Sequence, residues 1–335
     1  MRILCISDTH VPFLPATPAE REEVLGLALE SRALWPAIFD RMERQKAVDT
    51  WERIALGIRA SYEAVLHWTS SQEWDLIVHL GDVTCGWKEA GIGHNRLVDV
   101  AQSMQAQLAQ IAPALFCLGN HDVGWTSVAT EDSAGMTLYS VSRCRSIFGP
   151  LWWSRAAPGG VLLLGVCSSL ASYKGDNHHL REMRQEQEAF VADELRRSTG
   201  RWMLFAHEPA TPAHLSRLIA PHMTRLARFV YGDLHASWAG SLYSKLLAGT
   251  RSLRWGSSRT LALAHSRACF VPAVAPLWHP GHMAMALTLD ENGISSERIS
   301  LPIAAQAQGL PTLNPARCVL WMLPTVMRNI FSRGR

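Results

Sequence analysis

Five short apolar runs in this chain each end on a cluster of aspartate, asparagine or histidine. Residues 2–7 lead into Asp8-Thr9-His10, and Leu76–Leu80 into Gly81-Asp82. Ala114–Leu118 leads into Gly119-Asn120-His121-Asp122, Trp202–Ala206 into His207, and Ala227–Tyr231 into Gly232-Asp233-Leu234-His235. A brief apolar run closed by turn residues reads as a buried strand. Between the runs lie stretches with helical spacing. Residues 18–68 are one, with a start signal at Thr17-Pro18-Ala19-Glu20, a break at Pro36, and Trp51, Ile54, Ile58, Tyr62 and Val65 on one face. Residues 95–110 and 181–198 are others, and residues 283–301 read as a closing β-hairpin turning at Asp290–Gly293. Strands alternating with helices specify an α/β architecture.

Organisation along the chain is simple. No repeat or low-complexity segment divides it, so residues 1–301 are expected to form one domain with a helical insertion at about 17–72. The remaining residues, 302–335, form a tail with four prolines, an apolar run from Cys318 to Leu323, and Arg317, Arg328, Arg333 and Arg335. It reads as a helix packed on the domain or, alternatively, as a basic amphipathic contact with a membrane surface.

Composition narrows the partner. A net charge of +3 over 335 residues gives no concentrated basic face, which makes nucleic acid an unlikely target. Seven scattered cysteines without a C-x-x-C pair form neither a disulfide framework nor a structural zinc site, so a reducing, cytoplasmic setting is expected. The N-terminal residues do not read as a signal peptide, and no apolar run reaches the ~20 residues of a membrane span.

The chemistry lies in the clusters. In open α/β sheets, ligands bind beyond the carboxyl ends of strands. Carboxylate and imidazole are suited to Mn, Fe or Zn. Singly, an aspartate or histidine at a strand end is an ordinary turn or cap residue. Together, the order D-x-H, G-D, G-N-H-D, H and G-x-x-H resembles the calcineurin-like metallophosphoesterases over roughly residues 1–300. The stretch from Leu162 through Ser169 and Gly175 to Gln187 and Leu195 resembles the lead-in to the lone histidine in bacterial cyclic-nucleotide-phosphodiesterase-like members.

This resemblance implies a four-layer αββα sandwich of two mixed sheets. It also implies a pair of divalent or trivalent ions (Mn, Fe or Zn), with Asp8, His10 and His235 at one, Asn120, His207 and residue 233 at the other, and Asp82 between them. The pair would hold the phosphate and lower the pKa of a shared water. His121 is then the expected general acid, with Asp122 holding its ring. The chain departs from the family at Asp233, where G-H-x-H is usual. An aspartate there adds negative charge and should favour harder cations such as Mn²⁺ or Mg²⁺.

The expected substrate is a small-molecule phosphate ester. Alternatives are a nucleotide-sugar-lipid pyrophosphohydrolase at a membrane surface, with the helical insertion covering the acyl chain, and a catalytically silent scaffold on the same fold. His79, within a strand, is expected to be buried and hydrogen-bonded. His178 and His179 are expected to face solvent.

Overall fold

The computed structural model describes residues 1–12, 17–20, 44–84, 92–124, 136–233, 256–274, 282–291 and 293–301. His235, residues 21–43 of the expected insertion and the tail at 302–335 lie outside these described residues.

Among the described residues ten strands make two five-stranded sheets. In chain order they are β1 (Arg2–Ile6), β2 (Leu76–His79), β3 (Ala114–Phe116), β4 (Trp153–Ala157), β5 (Val161–Gly165), β6 (Trp202–Ala206), β7 (Leu226–Tyr231), β8 (Ala268–Phe270), β9 (His282–Asp290) and β10 (Gly293–Leu301). The first sheet runs β10-β9-β1-β2-β3 and the second β4-β5-β6-β7-β8. β1, β2 and β3 are parallel, and the β9–β10 hairpin joins them antiparallel. β5 to β8 are likewise parallel, with antiparallel β4 at the edge. Both sheets are therefore mixed.

Strand alternation sorts the side chains into layers. From β1, Ile3 and Cys5 enter the core between the sheets, where they meet Leu76 and Val78 of β2 and Met203 and Phe205 of β6. Leu4 and Ile6 point to the other side, into a core shared with helices α1 (Arg44–Ser70), α2 (Ile92–Ile111) and α3 (Leu138–Phe148). On the far face, Trp202, Leu204 and Ala206 pack with Val191 and Leu195 of α4 (His178–Arg197). Strands covered on both faces must be apolar throughout, which is why they read as unbroken runs. The result is the expected αββα sandwich.

Helix α1 supplies the crossover that parallel strands β1 and β2 require. Ile54, Ile58, Tyr62 and Val65 are buried, as their spacing predicts. Helix α2 begins three residues before its expected start and α4 three before its own. The side chain of Asn177 caps α4 by accepting from Leu180 N. Among the elements that escape the sequence reading are β4, β8, α3 and helix α5 (Gly256–His265). β4 is an edge strand with a polar middle, and β8 has only three residues. The apolar run that holds β8, Ala268 to Val271, is cut short by Pro272. All five described cysteines, Cys5, Cys117, Cys144, Cys167 and Cys269, are buried free thiols. No helix among the described residues is long and apolar enough to cross a membrane.

Candidate metal centre

The polar clusters follow β1, β2, β3, β6 and β7, all parallel within their sheets. Parallel strands end on the same side, so the clusters meet along one edge of the sandwich. Pairing continues past the strands there. Asp8 N donates to Gly81 O, His10 N to Asp82 O and Val11 N to Val83 O, each at 3.0 Å. The second sheet joins through Val274 N, which donates to Ser7 O at 3.0 Å, and within that sheet Gly232 N donates to His207 O at 3.1 Å.

The backbone is strained where the ligands stand. Among the described residues, four non-glycine residues have positive φ: Asp8 (51°), His10 (44°), Asp82 (54°) and Asp233 (67°). All four are expected metal ligands. A left-handed conformation at such residues costs on the order of 1–3 kcal/mol and persists only where its surroundings impose it. The glycines beside them are spatially required. A Cβ on Gly119 would press on Asp82 Oδ1, and Gly81 combines φ of 100° with a backbone that touches Gly119.

Asp82 lies at the middle. Its Oδ2 is 3.2 Å from His207 Nε2, 3.6 Å from His10 Nε2 and 4.0 Å from His121 Nε2. Its Oδ1 accepts from His121 N at 3.0 Å. Two triads of donor atoms converge, each within 4.8 Å: His10, Asp82 and His121, and Asp8, Asp82 and His207. Asp82 belongs to both. Asn120 is buried in the same loop as His121.

Asp233 points inward. Its Oδ1 is 3.6 Å from His207 Nε2, and its backbone N–H donates to Asp8 Oδ2 at 3.1 Å. The same Asp8 oxygen accepts from the Ser7 hydroxyl. His207 is oriented from behind, since its Nδ1–H donates to Leu80 O at 2.7 Å. In the neutral ring, Nε2 is then a bare lone pair facing two carboxylates. Neither His207 Nε2 nor Asp233 Oδ2 has a hydrogen-bond partner, and both are buried. Buried polar atoms without partners are rare and costly. A cation between them satisfies both, so the residues present fit a metal ion.

Electrostatics agree. Burial alone would raise the Asp82 carboxyl, but the imidazoles of His207, His121 and His10 hold it well below the usual carboxylate range. Burial disfavours a charged His207 ring, yet Asp82, Asp8 and Asp233 outweigh it and raise its pKa well above the ordinary value. Burial raises Asp233 well above its usual value, with Glu208, Asp8 and Asp82 adding to the rise and His207 opposing it. The pocket concentrates negative charge and demands a positive one.

One expected role is corrected. Asp122 does not hold the His121 ring. Its Oδ2 accepts from Asp82 N at 2.8 Å and Gly119 N at 2.9 Å, and its Oδ1 accepts from Val83 N at 2.9 Å. Both oxygens are turned to backbone, so Asp122 ties the Asp82 loop to the Asn120 loop. Burial and the nearby Asp82 charge push its pKa up to about 7. His121 instead packs edge-on against His10 with ring centroids 4.9 Å apart, and its side chain is 23% exposed.

Supporting residues were missed because serines and threonines carry little signal in sequence. Ser168 Oγ accepts from His207 N (3.0 Å) and Glu208 N (3.1 Å) and shares a hydrogen bond with Thr211 Oγ1 (2.9 Å), whose own proton goes to Glu208 O (2.7 Å), which fixes the turn carrying His207. Gln187, within the expected lead-in, clamps both backbone groups of Cys167.

The sequence model of the calcineurin-like phosphoesterases matches residues 1–237. The chain belongs to the calcineurin-like phosphoesterase family. As a member of that family it is a metallophosphoesterase, a hydrolase of phosphate ester bonds. No curated protein sequence matches it. A solved dimetal phosphatase from Danio rerio is similar over 90% of this chain and 99% of that chain, at 12% identity and a TM-score of 0.43. Within this phosphoesterase the matched region reaches past every cluster of the candidate centre.

Proposed function

We propose that this phosphoesterase uses two metal ions to hydrolyse a small-molecule phosphate ester, as a phosphodiesterase or phosphatase. The carrying observation is the central place of Asp82, whose carboxylate lies within 4.8 Å of donor atoms of Asp8, His10 and His207. In this reading Asp8, His10 and His235 hold one ion. Asn120, His207 and Asp233 hold the other, and Asp82 contributes to both. When bound, such a pair supplies the positive charge that holds a phosphate and lowers the pKa of a water beside it.

The protein's own groups then have distinct tasks. Asp82 keeps its charge because three imidazoles surround it. Leu80 O keeps the His207 proton on Nδ1, so that Nε2 faces the centre. His121 is anchored at its backbone by Asp82 Oδ1 and is partly open to solvent. That position suits a general acid giving its proton to the leaving oxygen. Asp233 adds a third carboxylate beside Asp8 and Asp82, which favours hard cations such as Mn²⁺ over the softer Zn²⁺.

The test is hydrolysis of bis(p-nitrophenyl) phosphate beside p-nitrophenyl phosphate, with Mn²⁺, with EDTA, and with the Asn120→Ala and His121→Ala variants. Turnover that needs metal and is lost in both variants supports the proposal, and the ratio of the two rates separates diesterase from monoesterase. No turnover with any divalent cation, together with an empty centre by metal analysis, would overturn it.

A further inference from the structure

His79 sits directly behind the metal centre, at the end of β2 and on its helix-facing side. It is fully buried, stacked on Phe116 with centroids 5.6 Å apart and planes 17° from parallel. Both ring nitrogens are engaged. Gly81 N donates to Nδ1 at 3.1 Å, which makes Nδ1 the lone-pair nitrogen. The ring proton is therefore on Nε2, which lies 3.1 Å from Thr9 Oγ1. The Thr9 hydroxyl in turn donates to Val83 O at 2.9 Å. The His79 ring and the Thr9 hydroxyl each donate one hydrogen bond and accept one, with the ring neutral. Burial keeps it so, pushing its pKa down to about 3.

The connected groups are significant for what they flank. Thr9 lies between Asp8 and His10, and Gly81 and Val83 enclose Asp82. Among the described residues those three ligands are the non-glycine residues of positive φ that follow strands of the first sheet. Aspartate and histidine tolerate that backbone better than most residues, but it still costs free energy, so the surroundings must hold it.

We propose that His79 and Thr9 form a neutral hydrogen-bond relay that holds the Asp8–His10 and Gly81–Asp82 loops in their strained, ligand-presenting conformations. They are positioning residues, touching no ion and no substrate. The inference rests on reading the site as a metal centre.

Mn²⁺ titration calorimetry on the full chain tests it. Thr9→Val keeps the shape and removes the relay hydroxyl. It should weaken Mn²⁺ binding by about ten- to a hundredfold, the range for outer groups that orient metal ligands. In His79→Gln the amide nitrogen reaches the place of Nε2 and keeps the link to Thr9 but leaves Gly81 N without its acceptor, so affinity should fall, though less than in Thr9→Val. Leu108→Ala, in the helix-facing core, should lower thermal stability without changing Mn²⁺ affinity. Equal affinity in Thr9→Val and Leu108→Ala would overturn the relay as a positioning device.

A second measurement needs no metal. Nitrogen-15 spectra of the His79 ring should show the neutral Nε2–H form across neutral pH. The opposite tautomer or a charged ring would overturn the relay. If the wild type takes up no Mn²⁺, the metal-centre reading falls, and the ring spectrum still decides whether the relay exists.

Discussion

His207 reaches from the second sheet to the first and donates its Nδ1–H to the Leu80 carbonyl at 2.7 Å. That bond fixes the tautomer, and the tautomer fixes what the ring can offer the centre. A ligand that binds only the folded chain stabilises it by about 2.7 kcal/mol at a hundredfold excess over Kd. Mn²⁺ should therefore raise the melting temperature of the wild type, and EDTA should abolish the rise. His207→Ala should lose most of it, since the donor and its orientation vanish together. Thermal melts with and without metal check this, and an identical rise in His207→Ala would exclude the ring as a ligand.

Asp122 makes a different prediction from a residue that orients His121. Its oxygens accept three backbone N–H groups from two ligand loops. Asp122→Asn replaces one acceptor with a donor that faces another donor. Stability should fall by about 1–3 kcal/mol, the cost of leaving buried groups unmatched. Urea unfolding reads this directly. Unchanged stability with an altered pH–rate profile would return Asp122 to the service of the His121 ring.

Asp233→His restores the residue usual for the family and removes one of three clustered carboxylates. The expected result is a shift in relative affinity from Mn²⁺ toward Zn²⁺, because imidazole is the softer donor. Competition titrations of the two metals measure it. An unchanged ratio would mean that Asp233 does not reach the ion, despite standing 3.6 Å from His207 Nε2.

His265 sets a pH dependence of stability. Its Nε2–H donates to Pro209 O at 2.9 Å, and burial pushes its pKa down to about 4. The unfolded ring has a pKa near 6.5, so between these values the unfolded chain binds the extra proton. Stability from this group is thus complete above that upper value and is lost as pH falls toward the lower one, by about 2 kcal/mol at pH ~5. His265→Gln keeps an equivalent donor and cannot titrate. Its urea midpoint should be correspondingly less sensitive to acid than that of the wild type. Parallel curves for the two proteins would show that His265 does not control the window.

Much of the centre was readable before any coordinates. The G-D and G-N-H-D clusters stand at strand ends because apolar runs stop where the sheet stops, and both signals are local. His79 was expected to be buried and hydrogen-bonded, and it is. The role of Asp122 was not readable, because adjacency to His121 in sequence says nothing about where a carboxylate turns. Ser168 and Thr9 went unnoticed for the same reason, since their partners lie on other loops. β4 and β8 escaped because they are the edge strands of their sheet, β4 with a polar middle and β8 in a run stopped at Pro272.

The sequence by itself determined the strand order of the ligands, their donor chemistry and the layered class of the fold. These follow from residue type and from the period of burial along one segment. Tertiary structure alone decided that Asp82 lies between two triads, that Asp233 turns inward, and that the ligand backbones are held in left-handed conformations. Those facts depend on contacts between segments far apart in the chain, such as Leu80 with His207 and Asp8 with Asp233, and no local pattern encodes the angle at which such segments meet.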